Sequence, residues 1–127
     1  MGEVKFFRCE RCGNIITKII DAGPAVSCCG QPMTELVANT TDAATEKHVP
    51  VIAVEGGNVT VTIGEVEHPM TEEHYIQWIC LHTTQGLQFV TLAPSDKPQA
   101  QFALANGDAA IEAFAYCNLH GLWTAKA

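Results

Sequence analysis

The sequence predicts a mainly β protein, built as a small metal-stabilised N-terminal module followed by an antiparallel β-sandwich. Three observations carry this. Four of the six cysteines fall within the first 29 residues. The later part of the chain runs in short stretches rich in β-branched and aromatic residues, parted by turn residues at the spacing of an all-β domain. Between the two, residues 38–46 are small and polar, the composition of a linker, which divides the chain into 1–37 and 38–127.

Leu, Ile, Val and Phe make up 31 of the 127 residues, enough for a packed core and too many for a disordered chain. No apolar run approaches the ~18 residues of a membrane-spanning helix. The first ten residues carry charges where a secretory signal would be apolar, so a cytoplasmic address is expected, with no membrane or nucleic-acid partner. Residues 1–37 balance Lys5, Arg8, Arg11 and Lys18 against Glu3, Glu10, Asp21 and Glu35, so the net charge of −7 lies wholly in the second segment.

A module of about 37 residues cannot bury enough apolar surface to stand unaided. Its cysteines remedy this. In a reducing cytosol structural disulfides are rare, which favours metal. Cys9-Glu10-Arg11-Cys12-Gly13 is a knuckle in which two thiolates grip one ion while the glycine turns the backbone behind them. Cys28-Cys29-Gly30 completes a four-thiolate set that suits zinc or iron and excludes magnesium and calcium. Adjacent ligands force an unusual sulfur–metal–sulfur geometry. A structural zinc knuckle stands as the alternative; a Cys28–Cys29 disulfide would be strained and would leave Cys9 and Cys12 unexplained.

In the second segment, strands are expected at Val49–Glu55, Asn58–Ile63, Tyr75–Thr83, Leu87–Leu92, Gln101–Ala105 and Ala110–Tyr116. Gly56-Gly57-Asn58 and Gln85-Gly86 are placed where hairpin turns are needed. Val59, Val61 and Ile63 alternate with polar neighbours, and Ile76, Trp78 and Cys80 form a second alternating face. Two packed sheets follow as the economical architecture. Residues 107–115 also have the alanine and glutamate content of a helix.

All five histidines follow the linker, and His48, His68, His74 and His120 sit in prolyl or glycyl turn contexts at strand ends, with Cys117 three residues before His120. Loops at one end of a sandwich can bring such distant residues together. Four imidazoles and one thiolate exceed what a structural zinc accepts and suit an iron with one open position. With neutral imidazoles and one thiolate, a ferrous centre keeps a single positive charge that attracts a small anion. A thiolate also pushes electron density onto the metal, which fits reduction of an oxygen-derived anion.

Taken together, the Cys9–Gly13 and Cys28–Gly30 motifs, Glu46-Lys47-His48-Val49-Pro50-Val51-Ile52, His68-Pro69-Met70-Thr71-Glu72-Glu73-His74 and Cys117-Asn118-Leu119-His120-Gly121-Leu122-Trp123 closely resemble desulfoferrodoxin, the two-iron class of superoxide reductase. The resemblance covers essentially the whole chain. It implies a desulforedoxin-like first domain with iron on Cys9, Cys12, Cys28 and Cys29, and an immunoglobulin-like sandwich whose iron takes His48, His68, His74 and His120 equatorially and Cys117 axially. It further implies one-electron reduction of superoxide to hydrogen peroxide, a homodimer, and rubredoxin or a similar carrier as electron donor. Lys47 matches the family lysine that attracts superoxide and helps deliver protons, and Glu46 the glutamate that takes the sixth position in the oxidised state.

Outside this pattern, Cys80 is expected to pack as a small hydrophobe, His82 to be exposed, and Trp78 and Trp123 to serve in the core or line the site. Two other functions compete with the enzyme: a non-catalytic two-iron electron carrier, and a zinc-stabilised binding module with incidental histidines. Metal content separates the last from the others, and reaction with superoxide separates the first two.

Overall fold

Every strand pairing among the described residues, 2–127, is antiparallel in the computed structural model. Two units emerge, Met1–Val37 and Ala38–Ala127.

In the first unit β1 (Phe6–Arg8) lies between β2 (Ile15–Thr17) and β5 (Thr34–Leu36), while β3 (Ser27–Cys28) and β4 (Gln31–Pro32) form a separate two-stranded hairpin. Strands of two or three residues bury little. Val4, Phe6, Cys9 and Met33 are its buried apolar side chains, too few to hold the unit without a cross-link.

The second unit opens with a single helical turn, α1 (Thr45–His48), and continues through β6 (Pro50–Glu55), β7 (Asn58–Ile63), β8 (Ile76–Thr83), β9 (Gly86–Thr91), β10 (Gln99–Ala103), β11 (Ala110–Cys117) and β12 (Gly121–Lys126). One sheet has the order β10-β7-β6 and the other β12-β11-β8-β9. Val59, Val61 and Ile63 of β7 face Ile79 and Leu81 of β8 and Ala113 and Ala115 of β11 in one fully buried cluster. The expected sandwich is therefore present. Both expected hairpins form, with Glu55 opposite Asn58 and Thr83 opposite Gly86.

Residues 110–117 form the expected strand, a central position between β8 and β12 overriding the local helix content. Three details differ from expectation. Strand β12 was concealed by the chemistry-bearing residues around it. The faces of β8 change partway: Tyr116 pairs with Trp78 but Cys117 with Ile76, so Gln77 is an extra residue. That bulge places Ile76 in the core with Ile79 and Leu81, and turns Trp78 and Cys80 to the opposite face. Finally, His82 is buried rather than exposed, because its Nδ1 bonds Glu112 Oε2 at 3.0 Å across the β8–β11 pair. Cys80 is fully buried beside it, and burial, with Glu112 a lesser cause, pushes its thiol up to about 12. Such a thiol is inert packing.

Candidate metal centres

The knuckle of the first unit is closed by backbone hydrogen bonds from the Cys9 N–H to the Asn14 carbonyl at 2.8 Å and from the Gly13 N–H to the Cys9 carbonyl at 2.9 Å. Gly13 takes φ +85°, a conformation that side chains resist. Opposite it, the β3–β4 hairpin turns at Cys29 and Gly30, with φ of 53° and 76°. The left-handed Cys29 is the answer to the adjacent pair: it turns successive side chains toward one point, where an extended strand would send them to opposite faces. The ligand atoms of Cys9, Cys12, Cys28 and Cys29 all lie within 4.8 Å of one another.

N–H groups of Cys12 and then Arg11 hold the Cys9 thiol down to about 6, whereas the Cys12 sulfur, followed by that of Cys9, pushes Cys29 up to about 12. Four thiols so close cannot all ionise without a cation between them. The donor set fits a four-thiolate metal, and Asn14 Nδ2, 3.7 Å from the Cys28 sulfur, adds a donor toward it.

In the second unit α1 carries His48. The Ala44 carbonyl ahead of this single turn accepts from His48 Nδ1 at 2.7 Å as well as from the Lys47 N–H at 3.2 Å. His68 Nδ1 likewise meets the carbonyl of Pro69 at 2.7 Å. A carbonyl only accepts, so each Nδ1 bears the proton and each Nε2 presents a lone pair. Yet the two Nε2 atoms lie 3.1 Å apart, and His120 Nδ1 is 3.1 Å from His48 Nε2. His74 arrives from a turn in which its N–H meets Thr71 Oγ1 at 3.1 Å, and its buried Nε2 has no hydrogen-bond partner. Converging lone pairs repel unless a cation sits between them. That is the strongest sign that the site fits a metal.

The rings form a square in the order His48, His68, His74, His120. Neighbouring centroids are 4.6, 4.7, 5.0 and 4.9 Å apart at interplanar angles of 75° to 86°. The His48–His74 diagonal is 6.5 Å, close to that of a flat square with those edges. Cys117, at the end of β11, brings its sulfur within 4.8 Å of the ligand atoms of His48, His74 and His120. Burial raises its thiol, opposed by the N–H groups of Leu119 and His120. Burial likewise lowers His48, His74 and His68, the last to about 4, keeping the imidazoles neutral and ready to ligate.

Thus all four first-site cysteines gather in one place, and all five second-site residues in another. Of the two charged candidates, Glu46 is exposed and Lys47 half-buried on α1, and the Lys47 charge depresses both His48 and His74. Trp123 proves to line the site, its indole stacking on His48 at 4.9 Å and donating to the His120 carbonyl at 3.1 Å. Sequence reasoning missed Gly64. With φ +84°, it lies so close to α1 that an added Cβ would stand 2.7 Å from the Lys47 backbone and 2.5 Å from the Val66 carbonyl. Its place just ahead of the His68 motif is a signal visible only in retrospect.

A mainly β chain bearing a four-thiolate centre and a four-histidine, one-cysteine centre belongs to the two-centre non-haem iron proteins. Comparison with known proteins makes this specific. The desulfoferrodoxin model matches residues 40–126 and the model of the desulfoferrodoxin N-terminal domain matches residues 2–36. A desulfoferrodoxin from Syntrophotalea carbinolica is 44% identical, over 98% of this chain and 97% of its own. Among solved structures, the superoxide reductase from Treponema pallidum superposes with a TM-score of 0.84 at 41% identity, over 98% of this chain and 99% of its own. The one-iron superoxide reductase from Giardia intestinalis covers 65% of this chain and 97% of its own, with a TM-score of 0.56 at 35% identity. The chain belongs to the desulfoferrodoxin family, and its two donor sets fit two iron ions per chain.

Proposed function

We propose that the chain is a superoxide reductase, which combines superoxide with one electron and two protons to give hydrogen peroxide and releases no dioxygen. The observation that carries this is the square of four inward-facing imidazoles with a thiolate as fifth donor, a set that leaves one position for a small ligand. Iron bound there supplies the one-electron chemistry. Superoxide reductases among the structural relatives support the same reading.

The chain's own residues do the rest. Cys9, Cys12, Cys28 and Cys29 ligate the first iron in domain 1–37; His48, His68, His74, His120 and Cys117 ligate the second in domain 38–127. Lys47 draws the anion toward an otherwise acidic domain and stabilises negative charge as the product forms. Glu46, beside it on the same turn, offers a carboxylate that assists departure of the product. A small one-electron carrier of the rubredoxin type returns the electron. The protein works as a homodimer in the cytoplasm. No helix among the described residues is long and apolar enough to cross a membrane.

The test is a reaction with superoxide at low ionic strength. One peroxide per electron supplied, without dioxygen, is expected, and Lys47→Ala should slow it by about tenfold, the lower end of electrostatic steering. Dioxygen evolved in proportion to superoxide would instead identify a dismutase. An unchanged Lys47→Ala rate would remove that residue from the mechanism, and an iron-loaded chain inert toward superoxide would be an electron carrier.

A further inference from the structure

His48 and His68 are aimed through their own rings, by the Ala44 and Pro69 carbonyls. His74 is held differently, through the residues on either side of it. The Asn118 side chain accepts from the Tyr75 N–H through Oδ1 at 2.9 Å and donates from Nδ2 to the Glu73 carbonyl at 2.9 Å. Its backbone N–H donates to the Tyr75 carbonyl at 3.2 Å. Three hydrogen bonds thus bracket His74 before and after, and all three come from the residue that follows Cys117 and stands two before His120.

We infer that Asn118 is a positioning residue for the second iron, fixing His74 Nε2 relative to the Cys117 and His120 ligand atoms by tying the Thr71–His74 turn to the β11–β12 hairpin. The chemistry demands an amide. One planar group must offer an acceptor to Tyr75 and a donor to Glu73. Aspartate would set an oxygen against the Glu73 carbonyl, serine would reach one partner only, and alanine would release both. Because the same residue lies between two other ligands, its loss lets His74 move against Cys117 and His120 without breaking a metal bond directly.

This rests on the five-donor iron site proposed above. Full-length Asn118→Ala and Asn118→Asp proteins, loaded with iron and reduced, would be compared with the unchanged chain for the rate at which excess ferrous chelator removes the second iron. The four-thiolate iron in the same sample is the reference. Outer partners of metal ligands typically govern affinity by about 10–100-fold, so Asn118→Ala should release the second iron at least ~10-fold faster, with the first iron unaffected. Asn118→Asp, which keeps the Tyr75 bond, should fall between. In metal-free protein the Tyr75 amide should exchange faster in Asn118→Ala and stay protected in Asn118→Asp.

Release at the unchanged rate in both variants overturns the inference. So does a lower melting midpoint of the metal-free protein with release unchanged, which would mark a bond serving only the fold. If Asn118→Ala fails to fold, Asn118→Asp carries the comparison alone. An unchanged chain that holds its second iron but forms no peroxide overturns the proposed function and leaves the release result standing; one that holds no second iron overturns both.

Discussion

The two centres solve one problem, gathering ligands around an ion, in opposite ways. The first draws four sulfurs from a stretch that begins at Cys9 and ends at Cys29, on two tight turns, with Cys12 and Cys29 exposed. The second draws five ligands from His48 to His120, across a sandwich with its own core, and buries His48, His68 and Cys117. In the first unit the metal is a condition of the fold. In the second the fold is a condition of the metal site, and a scaffold that stands alone can leave one ligand position to a substrate.

Metal removal should break this comparison most visibly. Stripped of both ions, residues 2–37 should lose their fold outright while residues 38–127 keep theirs, seen as collapse of amide dispersion confined to the first stretch. Loss of dispersion in both would show that the sandwich also depends on its ion.

The next effect is at Gly64. Alanine there suffers the left-handed penalty and overpacks the Lys47 backbone. A destabilisation of about 2–4 kcal/mol in denaturant unfolding is expected, with slower reaction toward superoxide and an untouched first centre. A reaction rate equal to that of the parent would mean that the α1 turn tolerates displacement.

A smaller effect concerns protons. His68 falls from 6.5 to about 4 in the folded chain, and His48 and His74 fall too, all chiefly through burial. Between those values the unfolded chain binds more protons than the folded one. Stability of the metal-free sandwich should therefore be full above pH 6.5 and decline as the pH drops toward 4. Urea midpoints across that range check the slope, and a rise on acidification would contradict neutral, buried imidazoles.

Least should come of Glu112→Gln, which removes the carboxylate facing His82 on the far side of the sheet. A loss of about 1 kcal/mol is expected, because the glutamine amide oxygen can still accept from the buried His82, with both metal spectra unchanged.

Much of this was legible from residue order. Val59, Val61 and Ile63 declare a half-buried strand through period-two alternation, and they occupy the core. The knuckle at Cys9–Gly13 is local, so its spacing alone conveys its geometry. What stayed hidden depends on pairs of distant elements. The face of Cys80 was inverted by a bulge at Gln77 that exists only in register with Cys117. His82 seemed free because Glu112, its partner, lies thirty residues on. Gly64 matters through a close approach to Lys47 that no local pattern encodes. Turn chemistry and periodicity are written in neighbouring residues, whereas contacts across a sheet are written in topology.

The stacking of Trp123 on His48 has an optical consequence. Indole emission is quenched by a nearby transition metal, so filling of the second site should darken Trp123. The other tryptophan, Trp78, stacks instead on Tyr116. A Trp78→Phe chain would then report through Trp123 alone, so that loading of the second site could be followed by emission in a cuvette.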